Sequence, residues 1–286
     1  MNYQWYPGHM KKARRMMEEN IKLIDLIIEL VDARIPLSSR NPEIDGLGQN
    51  KARLIVLNKA DLADENRTEL WETFFKDKGY FVVRMDSRKK KGLNPVKAAI
   101  EEAGAAKRER DKKRGILNRP LRAMVVGIPN VGKSTFINAL AGKGAAKTGN
   151  KPGVTKGKQW IRLNKKVELL DTPGILWPKF EDQSTGRKIA MVGSIKDEIL
   201  QDEETTRLIM EFLLKEGGGT LGVNYDVSEE GAWHEVLESI AVRRKALKKG
   251  GDPDTDKVCR QIIEDFRSGK LGRFTLETPV DFEGEN

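Results

Sequence analysis

Residues 127–134 read GIPNVGKS, which fits the pattern G-x-x-x-x-G-K-[ST] and lies between the apolar run LRAMVV and the helical stretch STFINALAG. No other feature constrains the fold as tightly, because it demands a strand, a glycine-rich turn and a helix in immediate succession. Gly127 and Gly132 let backbone N–H groups curl around a β-phosphate. Lys133 places a point charge on the β- and γ-phosphates, and the Ser134 hydroxyl is a ligand for Mg²⁺. A chance match in a chain of this length is on the order of 1%, before the strand and helix context is required, so an ordinary glycine turn is a poor explanation. The candidate nucleotide contacts in this loop are Gly127, Asn130, Val131, Gly132, Lys133, Ser134 and Thr135.

The pattern around this loop is that of an α/β domain. Four apolar runs, DLIIELVDAR, ARLIVLNK, YFVVRMDS and LRAMVVG, alternate with the helix-like stretches ENRTELWETFFKDKG and NPVKAAIEEAG. Continuous apolar strands alternating with helices predict a mostly parallel sheet with helices on both faces. KQWIRLN and KVELLDTPG supply two further strands, and 104–120 reads as a charged connector without periodicity. Beyond Pro178 the texture becomes helical: Trp233, Val236, Leu237, Ile240, Ala241 and Leu247 recur at helical spacing, as do Val258, Ile262 and Phe266. The expected domains are therefore 1–178, an α/β nucleotide-binding domain, and 179–286, an all-α domain. GGGTLG at 217–222 formally fits G-x-G-x-x-G, but it follows a helical stretch and is read as a loop.

Three more segments complete a nucleotide site. DTPG, Asp171 to Gly174, ends a strand; its carboxylate can hold Mg²⁺ through water and the Gly174 N–H can sense a γ-phosphate. Between it and the phosphate loop lies KPGVTKG, where Thr155 can offer a hydroxyl to Mg²⁺ and an N–H to the γ-phosphate. LNKAD, Leu57 to Asp61, leaves an apolar run as an N-K-x-D tetrad. There the Asp61 carboxylate can accept from guanine N1–H and its exocyclic amine, Asn58 can bond the base edge, and the Lys59 stem can lie along the ring. Adenine would leave that carboxylate, read as buried, unpaired. Ser87, in MDSR after the next strand, stands where a backbone N–H meets guanine O6. The order along the chain is LNKAD, Ser87, GIPNVGKS, Thr155, DTPG; rotation restores the usual order of such motifs, with 104–120 as the join and the cut just after DTPG.

Composition narrows the partners. The net charge is +9, yet the first 178 residues carry 36 Lys and Arg against 20 Asp and Glu, while the remainder carries 16 against 23. Basic runs at HMKKARR, RKKK and KRERDKKR point to a polyanion, and nucleic acid fits better than a membrane surface. Mean hydropathy is −0.56 and the longest apolar stretch, LIDLIIELV, is too short to span a bilayer. The first residues lack the succession of a secretory leader. A lone Cys259 excludes an internal disulfide, and with two histidines no usual zinc site can be built. A cytoplasmic protein, monomeric and without a membrane partner, is expected.

WYPGHMKKA, VDARIP, LNKAD, GIPNVGKS, PGVTKG and DTPG, followed by a helical domain, together resemble the circularly permuted P-loop GTPases of the RbgA (YlqF) ribosome-biogenesis family, over essentially the whole chain. That resemblance implies GTP binding and hydrolysis to GDP and phosphate. It also implies action in late maturation of the large (50S) ribosomal subunit, contact with its precursor and rRNA, and stimulation by the subunit. Two rival readings are a nucleotide-gated RNA-binding module with little hydrolysis and a permuted GTPase serving the small subunit. Ile175 stands where many GTPases carry a water-orienting glutamine. His9 in PGHM is the candidate to replace it, joining Lys133, Thr155 and Gly174 in the expected catalytic set. Asn130 matches an asparagine that, in related GTPases, helps hold K⁺ near the β–γ bridge. Ser134, Thr155 and Asp171 are the expected Mg²⁺ set.

Overall fold

The computed structural model describes residues 8–116, 119–142, 159–177, 182–194 and 202–282, with side chains from residue 11 onward. Two compact units result. One comprises 1–181 together with 275–286, the other 182–274.

The first unit is built on a six-stranded sheet of β1 (Leu26–Asp32), β2 (Ala52–Asn58), β3 (Phe81–Met85), β4 (Leu121–Val126), β5 (Gln159–Arg162) and β6 (Val167–Asp171), in the spatial order β3-β2-β1-β4-β6-β5. All neighbours pair in parallel except β5 with β6. Every residue of β1 is buried, as a central strand covered on both faces must be. The helices are α1 (Gly8–Asn20), α2 (Glu43–Leu47), α3 (Glu65–Asp77), α4 (Leu93–Ala103), α5 (Ala105–Lys113) and α6 (Lys133–Ala141). The chain steps outward from β1 to β3 through α2 and α3, then back past β1 to β4 through α4 and α5. Right-handed crossovers running in opposite directions put their helices on opposite faces, and α4 accordingly touches α6.

Trp71 and Phe75 of α3 anchor one face, their rings stacked at 5.6 Å over Val31, Ile55 and Leu57. Truncating a fully buried aromatic of this kind costs about 3–5 kcal/mol.

The six sequence-read strands are all present. The stretch 104–120 differs from its reading as an irregular connector, for it contains α5. Its Ala, Lys, Arg and Glu residues favour helix without an apolar stripe, and Lys107–Asp111 and Lys113–Glu109 pair one turn apart at 2.5 and 3.7 Å.

The second unit holds α7 (Gln183–Met191), α8 (Asp202–Glu216), α9 (Thr220–Tyr225), α10 (Trp233–Arg243) and α11 (Thr255–Ser268), with no strand among its described residues. Val236, Leu237, Ile240 and Ala241 of α10 and Val258, Ile262 and Phe266 of α11 are buried as their spacing predicts. Leu247 falls past the end of α10 and is exposed. GGGTLG differs in part from its reading as a loop: 217–219 joins α8 to α9, and Thr220 to Gly222 form the first turn of α9.

The helical unit ends earlier than 286. Thr275–Phe282 belongs to the first unit, where Leu276 N–H donates to Arg34 O at 2.8 Å. Buried Glu277 accepts from the N–H groups of Leu37 and Ser38 at 2.6 and 3.0 Å and from the Ser38 hydroxyl. Trp71 Nε1 donates to Glu277 O at 3.1 Å. This strap is held by single long-range bonds, which leave no periodic trace in the sequence.

Candidate functional site

Open parallel sheets bind ligands beyond the C-terminal ends of their strands, where neighbouring connections diverge. That point lies between β1 and β4, since one leads toward β2 and the other toward β6. Every motif of the sequence analysis that falls within the described strands leaves from this edge: VDAR after β1, LNKAD after β2, Ser87 after β3, GIPNVGKS after β4 and DTPG after β6.

The phosphate loop runs from Gly127 to α6, whose first residue is Lys133. Gly132 has φ +103°, and a Cβ there would lie 2.5 Å from Asn58 Nδ2, so the residue must be glycine on both counts. Asn130 also adopts a left-handed conformation, at φ 57°. Val131 is fully buried, while Ser134 and Thr135 are half-buried in the first turn of α6, where unpaired N–H groups favour an anion. Lys133 Nζ donates to the carbonyls of Gly127 and Ile128 at 2.9 and 3.0 Å. Burial lowers its pKa to about 8, against the opposing charge of Asp171.

Asp171 is buried at the end of β6, beside Val125 of β4 in register. Thr172 Oγ1 donates to Val125 O at 2.7 Å and holds the DTPG turn against the loop's strand. Gly174 sits against the loop itself: a Cβ there would lie 2.8 Å from Lys133 Nζ and 2.9 Å from Pro129 Cα. Ile175 is buried and its N–H faces Gly127 O at 3.4 Å.

At the other end, Asn58 joins three segments. Its Nδ2 donates to Val131 O at 2.8 Å, and its Oδ1 accepts from the Ser87 hydroxyl at 2.7 Å and the Ser87 N–H at 3.3 Å. This differs from the reading of Asn58 and Ser87 as base contacts alone, for both are also partners of the protein. Lys59 has φ +58° and opens a short 3-10 turn over Ala60–Leu62. Asp61 is exposed in that turn, not buried as its sequence reading supposes; a residue in a one-turn excursion beyond a strand has no layer above it. Asp32 and Arg34, to which the sequence assigns no role, are buried beside Lys59, and the signal that would have found them is the register of β1 with β2.

Ser134 and Asp171 provide a hydroxyl and a carboxylate at the loop, the oxygen donors a Mg²⁺ takes when nucleotide phosphates supply the rest. No group of three or more His, Cys, Asp or Glu with metal-binding geometry occurs among the described residues. Thr155 lies outside the described residues. Gly8 to Met10 are placed in α1 without described side chains, so the His9 imidazole is likewise outside them.

A protein-family model described as 50S ribosome-binding GTPase matches residues 122–215. The match starts in β4 and covers the phosphate loop and DTPG, while LNKAD lies upstream of it, as a rotated motif order requires. The chain is 47% identical to ribosome biogenesis GTPase A of Bacillus cereus, covering 99% of this chain and 96% of that one. Identity to the Thermotoga maritima protein of the same name is 34%, over 97% and 95% of the two chains. Among solved structures, a GDP-bound YlqF matches with a TM-score of 0.67 at 30% identity, covering 93% of this chain and all of that one. A GNP-bound YlqF from T. maritima matches with a TM-score of 0.64 at 31% identity, covering 94% and 98%.

Proposed function

The chain belongs to the ribosome biogenesis GTPase A family, and from that premise we propose that its GTP hydrolysis governs binding to, and release from, a late precursor of the large ribosomal subunit. The observation that carries the reading is Asn58, which ties the tetrad of β2 to the phosphate loop of β4 through Val131 and to Ser87 of β3. That tie supports the reading in which segments reversed in the chain serve one nucleotide.

Within that site the roles divide. Asp61 reads the guanine edge, with the Lys59 stem along the ring and Ser87 near O6. Gly127, Asn130, Val131, Gly132, Lys133, Ser134 and Thr135 surround the phosphates. Lys133 exchanges its two carbonyl partners for β- and γ-phosphate oxygens and gains a proton if it lacks one. Ser134, Asp171 and Thr155 are the residues that would hold Mg²⁺, which when bound would neutralise charge developing on the phosphates. Asn130 is the residue placed to help a K⁺ ion, and equal-ionic-strength assays in KCl and NaCl test that assignment. The Gly174 N–H reports the γ-phosphate. Ile175 can neither donate nor accept through its side chain, so the attacking water needs another group; His9 takes that role, and a His9→Ala chain with undiminished subunit-stimulated hydrolysis contradicts it.

The rRNA partner is supported by the 36 basic against 20 acidic residues of the first 178. Among the described residues no helix is long and apolar enough to cross a membrane, and a ribosomal partner would be met in the cytoplasm. Sedimentation with separated subunits tests the whole reading: the non-hydrolysable GTP analogue should carry the chain into the large-subunit fraction and GDP should release it. Sedimentation with the small subunit, or independence of nucleotide, overturns it.

A further inference from the structure

The VDAR turn leaves β1 beside the tetrad. Asp32 and Asn58 are register partners at the ends of β1 and β2, and Ala33 N–H donates to Asn58 O at 2.8 Å. Asp32 is wholly buried, with its own N–H on Ser39 Oγ at 2.9 Å. Its Oδ2 accepts from Lys59 Nζ at 2.8 Å. The Arg34 guanidinium grips the same carboxylate in a fork, Nε to Oδ1 at 2.9 Å and Nη2 to Oδ2 at 2.8 Å, and Arg34 N–H reaches Oδ1 at 3.1 Å.

A buried ion pair is seldom the best route to stability, since apolar residues of similar volume commonly do as well. Here the carboxylate instead fixes one particular side chain of the tetrad. Lys59 is a non-glycine residue in a left-handed conformation, a state that persists only where its surroundings over-determine it. The Asp32–Lys59 bond supplies that constraint from the side-chain end, while Arg34 keeps Asp32 from turning. Burial would raise the Asp32 pKa, but the charges of Arg34 and Lys59 hold it well below the usual carboxylate range, so the anchor stays ionised at neutral pH.

We propose that Asp32, backed by Arg34, is a positioning residue for guanine recognition: it pins the Lys59 ammonium so that the aliphatic stem of Lys59 and the Asp61 carboxylate two residues on face the base in a fixed geometry. The proposal rests on the reading of LNKAD as the base site.

A double-mutant cycle on the full chain tests it, with GDP dissociation constants as the readout. Asp32→Asn and Lys59→Met should each weaken GDP binding about tenfold, the worth of one charge-assisted bond. In the Lys59→Met background Asp32→Asn should then add no more than about twofold, because its target is gone. The loss should fall on KM for GTP, with kcat holding within about twofold. Multiplicative losses in the double variant, or an unchanged GDP constant in Asp32→Asn, overturn the proposal. If Asp32→Asn does not fold, Arg34→Lys, which keeps charge but loses the fork, takes its place in the same cycle, and the same two results overturn the proposal. Asp61→Ala separates the two levels. Unchanged GDP affinity there defeats the base-site reading itself, whereas weakened affinity beside a multiplicative cycle defeats only the positioning role.

Discussion

At the base end of the site, Asp32, Arg34 and Lys59 form a fixed set of charged side chains, and Asn58 bonds to Val131 and Ser87. At the phosphate end, the first turn of α6 carries the N–H groups that a helix leaves without intrahelical partners, and one lysine rests on the carbonyls of Gly127 and Ile128. The base end is thus held by protein–protein bonds that need not change on binding. At the phosphate end the proposed binding exchanges bonds: Lys133 would leave two carbonyls to reach a phosphate. The difference suits a switch, because the base is common to GTP and GDP while the γ-phosphate is what distinguishes them. It also suits the permutation, since the chain leaves the first unit just beyond DTPG and returns at Thr275, beside the VDAR turn.

The largest effect that would sharpen this contrast is expected from Gly174→Ala. The new methyl would meet Lys133 Nζ at 2.8 Å and Pro129 at 2.9 Å, forcing the switch turn off the loop. Hydrolysis should fall about a hundredfold, as ångström-scale misplacement does, while GDP affinity stays near the wild-type value. Single-turnover phosphate release beside GDP titration checks both halves. Equal loss in both assays would mean the two ends are not separable.

A smaller effect is expected from pH. Lys133 titrates at about 8 in the free chain, and a phosphate partner raises that value, so binding above pH 8 takes up a proton. Affinity should be level below pH 8 and then fall by up to about tenfold per unit as pH rises toward the bound-state pKa. Calorimetry in buffers of different ionisation enthalpy reads the proton directly. Lys133→Arg, which keeps its charge, should abolish the slope. The Asp32 carboxylate at the base end contributes no titration in this window, because it is held well below it.

The smallest effect belongs to the strap. Glu277→Gln removes a charge-assisted acceptor from the N–H groups of Leu37 and Ser38 and should cost about 1–2 kcal/mol in denaturant unfolding. Because Leu276 and Thr275 also hold the carbonyls of Arg34 and Ala33, any functional consequence should appear in GDP affinity before it appears in kcat.

Much of this architecture is legible in the sequence because it is local. GIPNVGKS between a strand and a helix, LNKAD at the end of a strand, and six apolar runs all depend on residues adjacent in the chain. The helix at 105–113 is hidden because solvent-facing helices need no apolar stripe. Asp32 escapes functional assignment because its partner Lys59 is 27 positions away, and only the pairing of β1 with β2 brings the two together. The strap is hidden more deeply: Glu277 and Ser38 are separated by 239 positions, and neither carries a pattern of its own. Asp61 is readable as a residue type but not in its exposure, since a turn beyond a strand end depends on what covers it.

The central claim is that LNKAD and GIPNVGKS, reversed in the chain, grip the two ends of one guanine nucleotide. Asp61→Asn tests it most directly, because xanthine presents a carbonyl oxygen where guanine has its amine and so prefers an amide donor to a carboxylate. Nucleotide hydrolysis by this variant should shift from GTP to XTP, with the preference between them reversed and XTP turnover still dependent on Lys133. A variant that keeps its GTP preference, or that hydrolyses neither nucleotide while remaining folded, would contradict it.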